Sequence, residues 1–209
     1  MAMGRPRSFC VDQAADRAMT VFWKKGYEGA SLSDLTAAMG INAPSLYAAF
    51  GSKEGLFKAV LERYDARRSG FMEKVLSAPD AFGVARNYLE GIAEFAADTN
   101  GGANPPGCLL VQNGSCADSA IPEEVARHRA EKERLLCARF EQAKKDGDLP
   151  NDADPATLAR YLSAMANGIC MHAASGATVA ELMDIAQMAL ASWPVQSKTS
   201  SKKKSRATA

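Results

Sequence analysis

The stretch Ser31-Leu-Ser-Asp-Leu-Thr-Ala-Ala-Met-Gly-Ile-Asn-Ala-Pro-Ser-Leu-Tyr-Ala-Ala-Phe50 decides the fold. Ser31 and Asp34 stand three apart, the spacing of a capping box, in which each side chain satisfies an orphan amide at the start of a helix. That helix is short and stops at Gly40. Asn42 is placed to cap a second short helix, with Pro44 in its first turn, where a missing N–H costs little. Short helix, four-residue turn Met39-Gly-Ile-Asn42, short helix is the signature of a helix-turn-helix.

Upstream, Val11, Ala14, Ala15, Ala18 and Phe22 form one apolar stripe of helical period. Ser8 is the expected N-cap of that helix, and Lys24-Lys25-Gly26 its C-terminal end. Downstream, Ser52 caps a helix through Lys53, Leu56, Phe57, Val60, Leu61 and Tyr64. Residues 9–50 therefore hold three helices. The rest reads as further helices near 53–77, 80–99, 106–117, 122–146, 155–174 and 178–192, separated by proline and glycine breaks. No strand signal and no internal repeat is present. The fold class is all-α, in three parts: residues 1–52, a helix-turn-helix head with a basic arm; residues 53–196, a larger helical body; and residues 197–209, a disordered basic tail.

At 209 residues with 47% hydrophobic content the chain can bury a substantial core. No run reaches the roughly 18 apolar residues needed to span a bilayer. Met1-Ala-Met-Gly-Arg-Pro-Arg7 lacks the apolar segment of a secretory signal. Five scattered cysteines without a C-x-x-C pair point to a reducing cytoplasm, with neither a disulfide framework nor a structural zinc. No metal or cofactor is expected. The net charge of +1 is unevenly spread: residues 1–68 hold ten Lys/Arg against seven Asp/Glu, residues 69–197 ten against seventeen, and the tail five against none. A polyanion is drawn to the two ends and repelled by the middle.

The stretch Pro44-Ser-Leu-Tyr-Ala-Ala-Phe-Gly-Ser-Lys-Glu-Gly-Leu-Phe57, with Gly26-Tyr27, Ser31, Leu35 and Met39-Gly40-Ile41, resembles the TetR/AcrR family of transcription regulators. The likeness is strong over residues 9–64 and architectural beyond them, apart from a Gly107-Cys-Leu-Leu-Val111 segment found in one branch. It implies a homodimer on a pseudo-palindromic double-stranded operator, usually a repressor, released when a small molecule enters the body. The helix 43–49 is then the recognition helix in the major groove. Leu46 and Phe50 face inward, onto Phe22, Leu32, Leu35 and Ile41, while Ala43, Pro44, Ser45, Tyr47, Ala48 and Ala49 face out.

By this resemblance Tyr47 and Lys53 contact phosphate, the latter beside the amides of a helix N-terminus. Ser31 and Ser33 face the DNA backbone, and Ala43, Pro44, Ser45 and Ala48 meet base edges. No Arg, Asn or Gln stands there for bidentate contacts, so readout leans on thymine methyls and DNA shape. Arg5 and Arg7 are placed as a minor-groove arm. The bland alternatives are a packing role for Tyr47 and a solvated charge at Lys53.

In the body, helices 155–174 and 178–192 carry apolar residues on more than one face, one for the core and one for a second subunit. An effector cavity is expected among the middle helices, lined by Phe82, Tyr88, Phe95, Cys108, Leu110, Asn113, Met165 and Ile169. Cys108 and Cys116 bracket the short helix 106–117 about two turns apart, with Cys108 in its first turn. Similar Gly-Cys segments occur in electrophile-responsive repressors, so the pair is a candidate redox or electrophile sensor; the alternative is a small buried hydrophobe. His128 lies in a charged run, read as a solvated helix face, and His172 near a helix end. Neither has a catalytic neighbourhood, and no phosphate-cradling glycine loop occurs, which argues against an enzyme. A second rival, a helical module whose head contacts protein, is disfavoured by Tyr47, Lys53 and the basic arm.

Overall fold

The computed structural model describes residues 9–99, 104–114 and 120–194. Among them there are helices and no strand: α1 (Val11–Gly29), α2 (Leu32–Met39), α3 (Ala43–Phe50), α4 (Lys53–Ala66), α5 (Ser69–Leu76), α6 (Ala81–Ala97), α7 (Leu109–Gln112), α8 (Ala120–Lys145), α9 (Pro155–Ala174) and α10 (Val179–Ala191). No helix of the described residues is long and apolar enough to cross a membrane.

The head is set by its caps. Ser31 Oγ accepts the Asp34 amide while the Asp34 carboxylate accepts the Ser31 amide, a complete capping box. Asn42 Oδ1 accepts the Ser45 amide, and Ser52 Oγ the Gly55 amide, opening α3 and α4. At Gly55 the two helices come so close that a Cβ would lie 2.0 Å from the Phe50 carbonyl oxygen, so only glycine fits. Phe22, Leu35, Leu46, Leu56 and Phe57 are fully buried beneath α1–α4. Phe22 meets Phe57 edge-on at 5.0 Å, and Tyr27 meets Phe57 at 5.3 Å. In the body α6 packs chiefly against α9 and α10, and α8 against α9.

Three helix bounds differ from the sequence reading. The cap of α1 is Cys10, without a side-chain hydrogen bond, and Ser8 lies outside the described residues. The long helix near 53–77 breaks at Arg68, whose guanidinium turns inward to donate to the Tyr64 hydroxyl at 2.9 Å. The helix expected over 106–117 is only one turn. Cys108 is extended, and at the other end Asn113 Nδ2 donates to the Leu109 carbonyl at 2.8 Å, taking an acceptor that a continuing helix would use. Cys108 is therefore outside the first turn, and the picture of two cysteines bracketing a two-turn helix is corrected. Cys116, Arg5, Arg7 and the lysine-rich tail lie outside the described residues.

Candidate DNA interface and effector cavity

The outer surface of the head carries most of the expected contact residues. Leu46 is the buried anchor of α3, while Tyr47 stands 45% exposed and Pro44 and Ala48 are exposed beside it. Ala43 and Ser45 are half-buried, and Ser31 and Ser33 are exposed at the start of α2. Ser33 and Ser45 share a notch between α2 and α3 with Thr36, Gly40 and Asn42. Ser31 Oγ is also engaged with Asp34 at 2.7 Å, so its hydroxyl proton is already used. Lys25 bonds the same Asp34 carboxylate at 2.7 Å; with Ser31 this holds its pKa down at about 2. Lys53 opens α4 with its ammonium 4.5 Å from the centre of the Tyr27 ring. The candidate contact residues thus lie at the start of α2, along α3 and at the start of α4.

The body holds an open-sided cavity of about 970 Å³, bounded by the end of α4, by α5, α6 and α7, by residues 127–135 of α8, and by α9. Of the eight residues expected to line it, Tyr88, Cys108 and Leu110 do. The other five stand elsewhere. Phe82 is exposed on α6, and Phe95 lies under the Arg68 guanidinium, 3.9 Å from its ring centre, with Trp23 stacked on it. Asn113 is buried and committed to the backbone of Tyr27 and Leu109, Met165 is half-buried on α9, and Ile169 is fully buried core.

Residues the sequence reading passed over fill those places. Arg68 is only 9% exposed and faces the cavity. The Tyr64 hydroxyl, which accepts from it, lies 3.1 Å from Cys108 Sγ. Cys170, on α9, lines the cavity with Cys108; the influence of its thiol first, then the Arg68 charge and the Tyr64 hydroxyl, hold the Cys108 thiol well below its ordinary pKa against the opposing effect of burial. Cys170 is pushed up in return, by the neighbouring Cys108 and by its own burial. Burial lifts Tyr88 to about 12.

His128 corrects the solvated-face reading: its imidazole packs between Asp65, to which it is hydrogen-bonded, and Glu124, 3.4 Å from Nε2. Lys132 completes the group at 2.7 Å from Asp65. Burial disfavours ionisation of Asp65, yet the bonds from His128 and Lys132 outweigh it and its pKa falls. The only signal for these positions in the sequence was a basic or titratable residue near the apolar face of a helix. Among the described residues, no group of three or more His, Cys, Asp or Glu is arranged to hold a metal ion.

Comparison with known proteins agrees with this architecture. Residues 15–60 match the family described as bacterial regulatory proteins, tetR family, and residues 85–191 match the tetracyclin repressor-like C-terminal domain. The chain is 37% identical over 196 residues to the HTH-type transcriptional repressor ComR of Escherichia coli K12, covering 91% of this chain and 92% of ComR. A structure of a cysteine mutant of the TetR family regulator CifR, complexed with 26-base-pair operator DNA, superposes with a TM-score of 0.85 at 37% identity, covering 91% of this chain and all of that one. Escherichia coli NemR in its reduced form shares the fold, with a TM-score of 0.71 at 18% identity over 86% of this chain and 94% of that one. The chain belongs to the tetR family of bacterial regulatory proteins: it is a DNA-binding transcription regulator and not an enzyme.

Proposed function

We propose that the protein is a ligand-responsive repressor that binds a pseudo-palindromic operator in the cytoplasm as a homodimer, and leaves it when a small apolar or electrophilic effector enters the body. The observation that carries this reading is the anchoring of α3 by Leu46, which turns Pro44, Tyr47 and Ala48 outward on a helix short enough for a major groove. ComR is named a repressor, as is BdcR of Escherichia coli K12, 36% identical over 125 residues covering 60% of this chain, and CifR has been seen on operator DNA. Met171, Val179 and Met188, exposed on α9 and just beyond it on α10, suit a helical interface with a second copy.

In this reading Tyr47 and Lys53 hold phosphates, Ser31 and Ser33 flank the backbone, and Ala43, Pro44, Ser45 and Ala48 meet base edges, with Arg5 and Arg7 as the arm. Tyr88, Cys108 and Leu110 meet the effector. The test is Tyr47→Ala with Lys53→Ala in an operator titration over a range of salt. The double variant weakens binding to every operator sequence, and the slope of log affinity against log salt flattens by roughly 2 for the dimer. Unchanged binding after both substitutions would remove them from the contact list.

A further inference from the structure

We propose that the body cavity takes an apolar organic anion, with its carboxylate or sulfonate on Arg68 and its hydrocarbon part against α5 and α6. This inference rests on the effector-cavity reading and names the ligand's chemistry. A guanidinium carries five N–H donors, and burying one is costly unless an anion or several acceptors meet it. Arg68 is nine-tenths buried, yet among the described residues its one hydrogen bond goes to the neutral Tyr64 hydroxyl. Its charge also favours the Cys108 thiolate, and it rests against aromatic faces, 3.9 Å from the centre of Phe95, 5.4 Å from Tyr64 and 5.5 Å from Phe71.

The carboxylates around the cavity are committed elsewhere. Asp65 holds His128 and Lys132, Glu131 holds Arg134, Glu133 faces Arg160, and Glu73 is exposed on α5. A second guanidinium stands in the same wall: Arg129 gives one N–H to the Leu110 carbonyl at 2.8 Å, while its Nε is buried with no partner. Both arginines and Cys170 line this cavity. Phe71, Met72, Leu76 and Ile92 supply an apolar wall for the rest of the ligand. The arrangement is a charged floor under an oily chamber, the recognition chemistry of an amphiphilic acid.

Two fluorescent probes of nearly the same skeleton test this, anilinonaphthalene sulfonate and the uncharged phenyl naphthylamine, titrated into the full-length protein. Replacing Arg68 by Met weakens the sulfonate by roughly ten- to a hundredfold and leaves the neutral dye within a few-fold, since only the charged contact is lost. Arg68→Lys keeps most of the sulfonate affinity. Thermal melts show which variants are folded. On wild type alone, decanoate displaces the neutral dye at a concentration at least tenfold lower than decanol does. Equal potency of decanoate and decanol, or a parallel loss of both dyes in folded Arg68→Met, overturns the anion site while leaving a neutral effector cavity standing. If neither dye binds wild type, the cavity reading fails and this inference with it.

Discussion

The side-chain oxygen of Asn113 accepts the backbone N–H of Tyr27 at 2.6 Å, joining the segment that lines the cavity to the helix that supports the DNA-binding head. Leu110, three residues before Asn113, is a cavity wall; the Tyr27 ring packs on Phe22 and Phe57 and lies under Lys53. A change at the cavity wall therefore has a short, packed route to the start of α4. Asn113→Ala strands the Tyr27 amide in a buried site, which costs about 1–3 kcal/mol. Denaturant unfolding checks this, and a loss under about 0.5 kcal/mol would mean that water or a backbone shift replaces the bond.

Asp16 joins α1 to α4 by a two-pronged contact with Arg63, 2.6 Å to Nε and 2.7 Å to Nη2, and a further contact with Arg67 at 2.9 Å. The Arg63 hydrogen bond is the largest influence on its carboxyl, and together with Arg67 it outweighs burial and lowers the pKa. A depressed carboxyl stabilises the fold above its unfolded value near 3.8, and that contribution disappears as pH falls through the lower native value. Because the carboxylate is partly solvated, its share is about 1 kcal/mol or less. Asp16→Asn should lower the melting temperature at neutral pH and narrow the gap to wild type below pH about 4. A gap that stays constant down to about pH 2 would show that the loss comes from packing instead of charge.

The head was legible in the sequence because its determinants are local. Ser31, Asp34, Asn42, Pro44 and Ser52 each act within three or four residues, and all do in the structure what their spacing implies. The cavity was only partly legible because its determinants come from several helices. His128 read as part of a solvated helix face, and nothing in the local sequence around Arg68 or Cys170 marked either as a cavity residue. Their roles emerge only where α4, α8 and α9 converge around Tyr64 and Asp65. Phe82 and Phe95 show the converse error: an aromatic at helical spacing predicts burial, not which side of the helix faces the hollow. The extent of α7 was overread because the side chain of Asn113 competes for a helix carbonyl, a choice fixed by its distant partner Tyr27.

Met188 is 75% exposed on α10 and Met171 61% exposed on α9, large apolar side chains left uncovered among the described residues. If these helices meet a second copy, Met171→Glu with Met188→Glu places four carboxylates at a two-fold interface and disfavours it strongly. Sedimentation should show the variant as a monomer at micromolar concentration, with an intact helical circular dichroism spectrum and weakened operator binding. A variant that stays dimeric would place the subunit contact on another surface.

Cys108 offers the sharpest chemical test of the cavity, because the influences on its thiol can be removed one at a time. The thiolate is the reactive form, and the Cys170 thiol is the largest influence holding the Cys108 pKa down, ahead of Arg68 and Tyr64 among the groups that lower it. Maleimide labelling of Cys108, followed peptide by peptide in a mass spectrometer, should therefore stay fast below the pH at which an ordinary thiol slows. Cys170→Ala takes away this neighbouring thiol, so the thiolate loses stabilisation and the whole rate profile moves to higher pH; Cys108→Ser abolishes labelling at this position. Arg68→Met acts in the same direction, by removing the neighbouring positive charge. A Cys170→Ala profile that overlays wild type would show that the Cys170 thiol does not act on Cys108. If an electrophile also relieves operator binding equally in wild type and Cys108→Ser, the thiol takes no part in sensing, and the effector acts on the cavity without covalent chemistry.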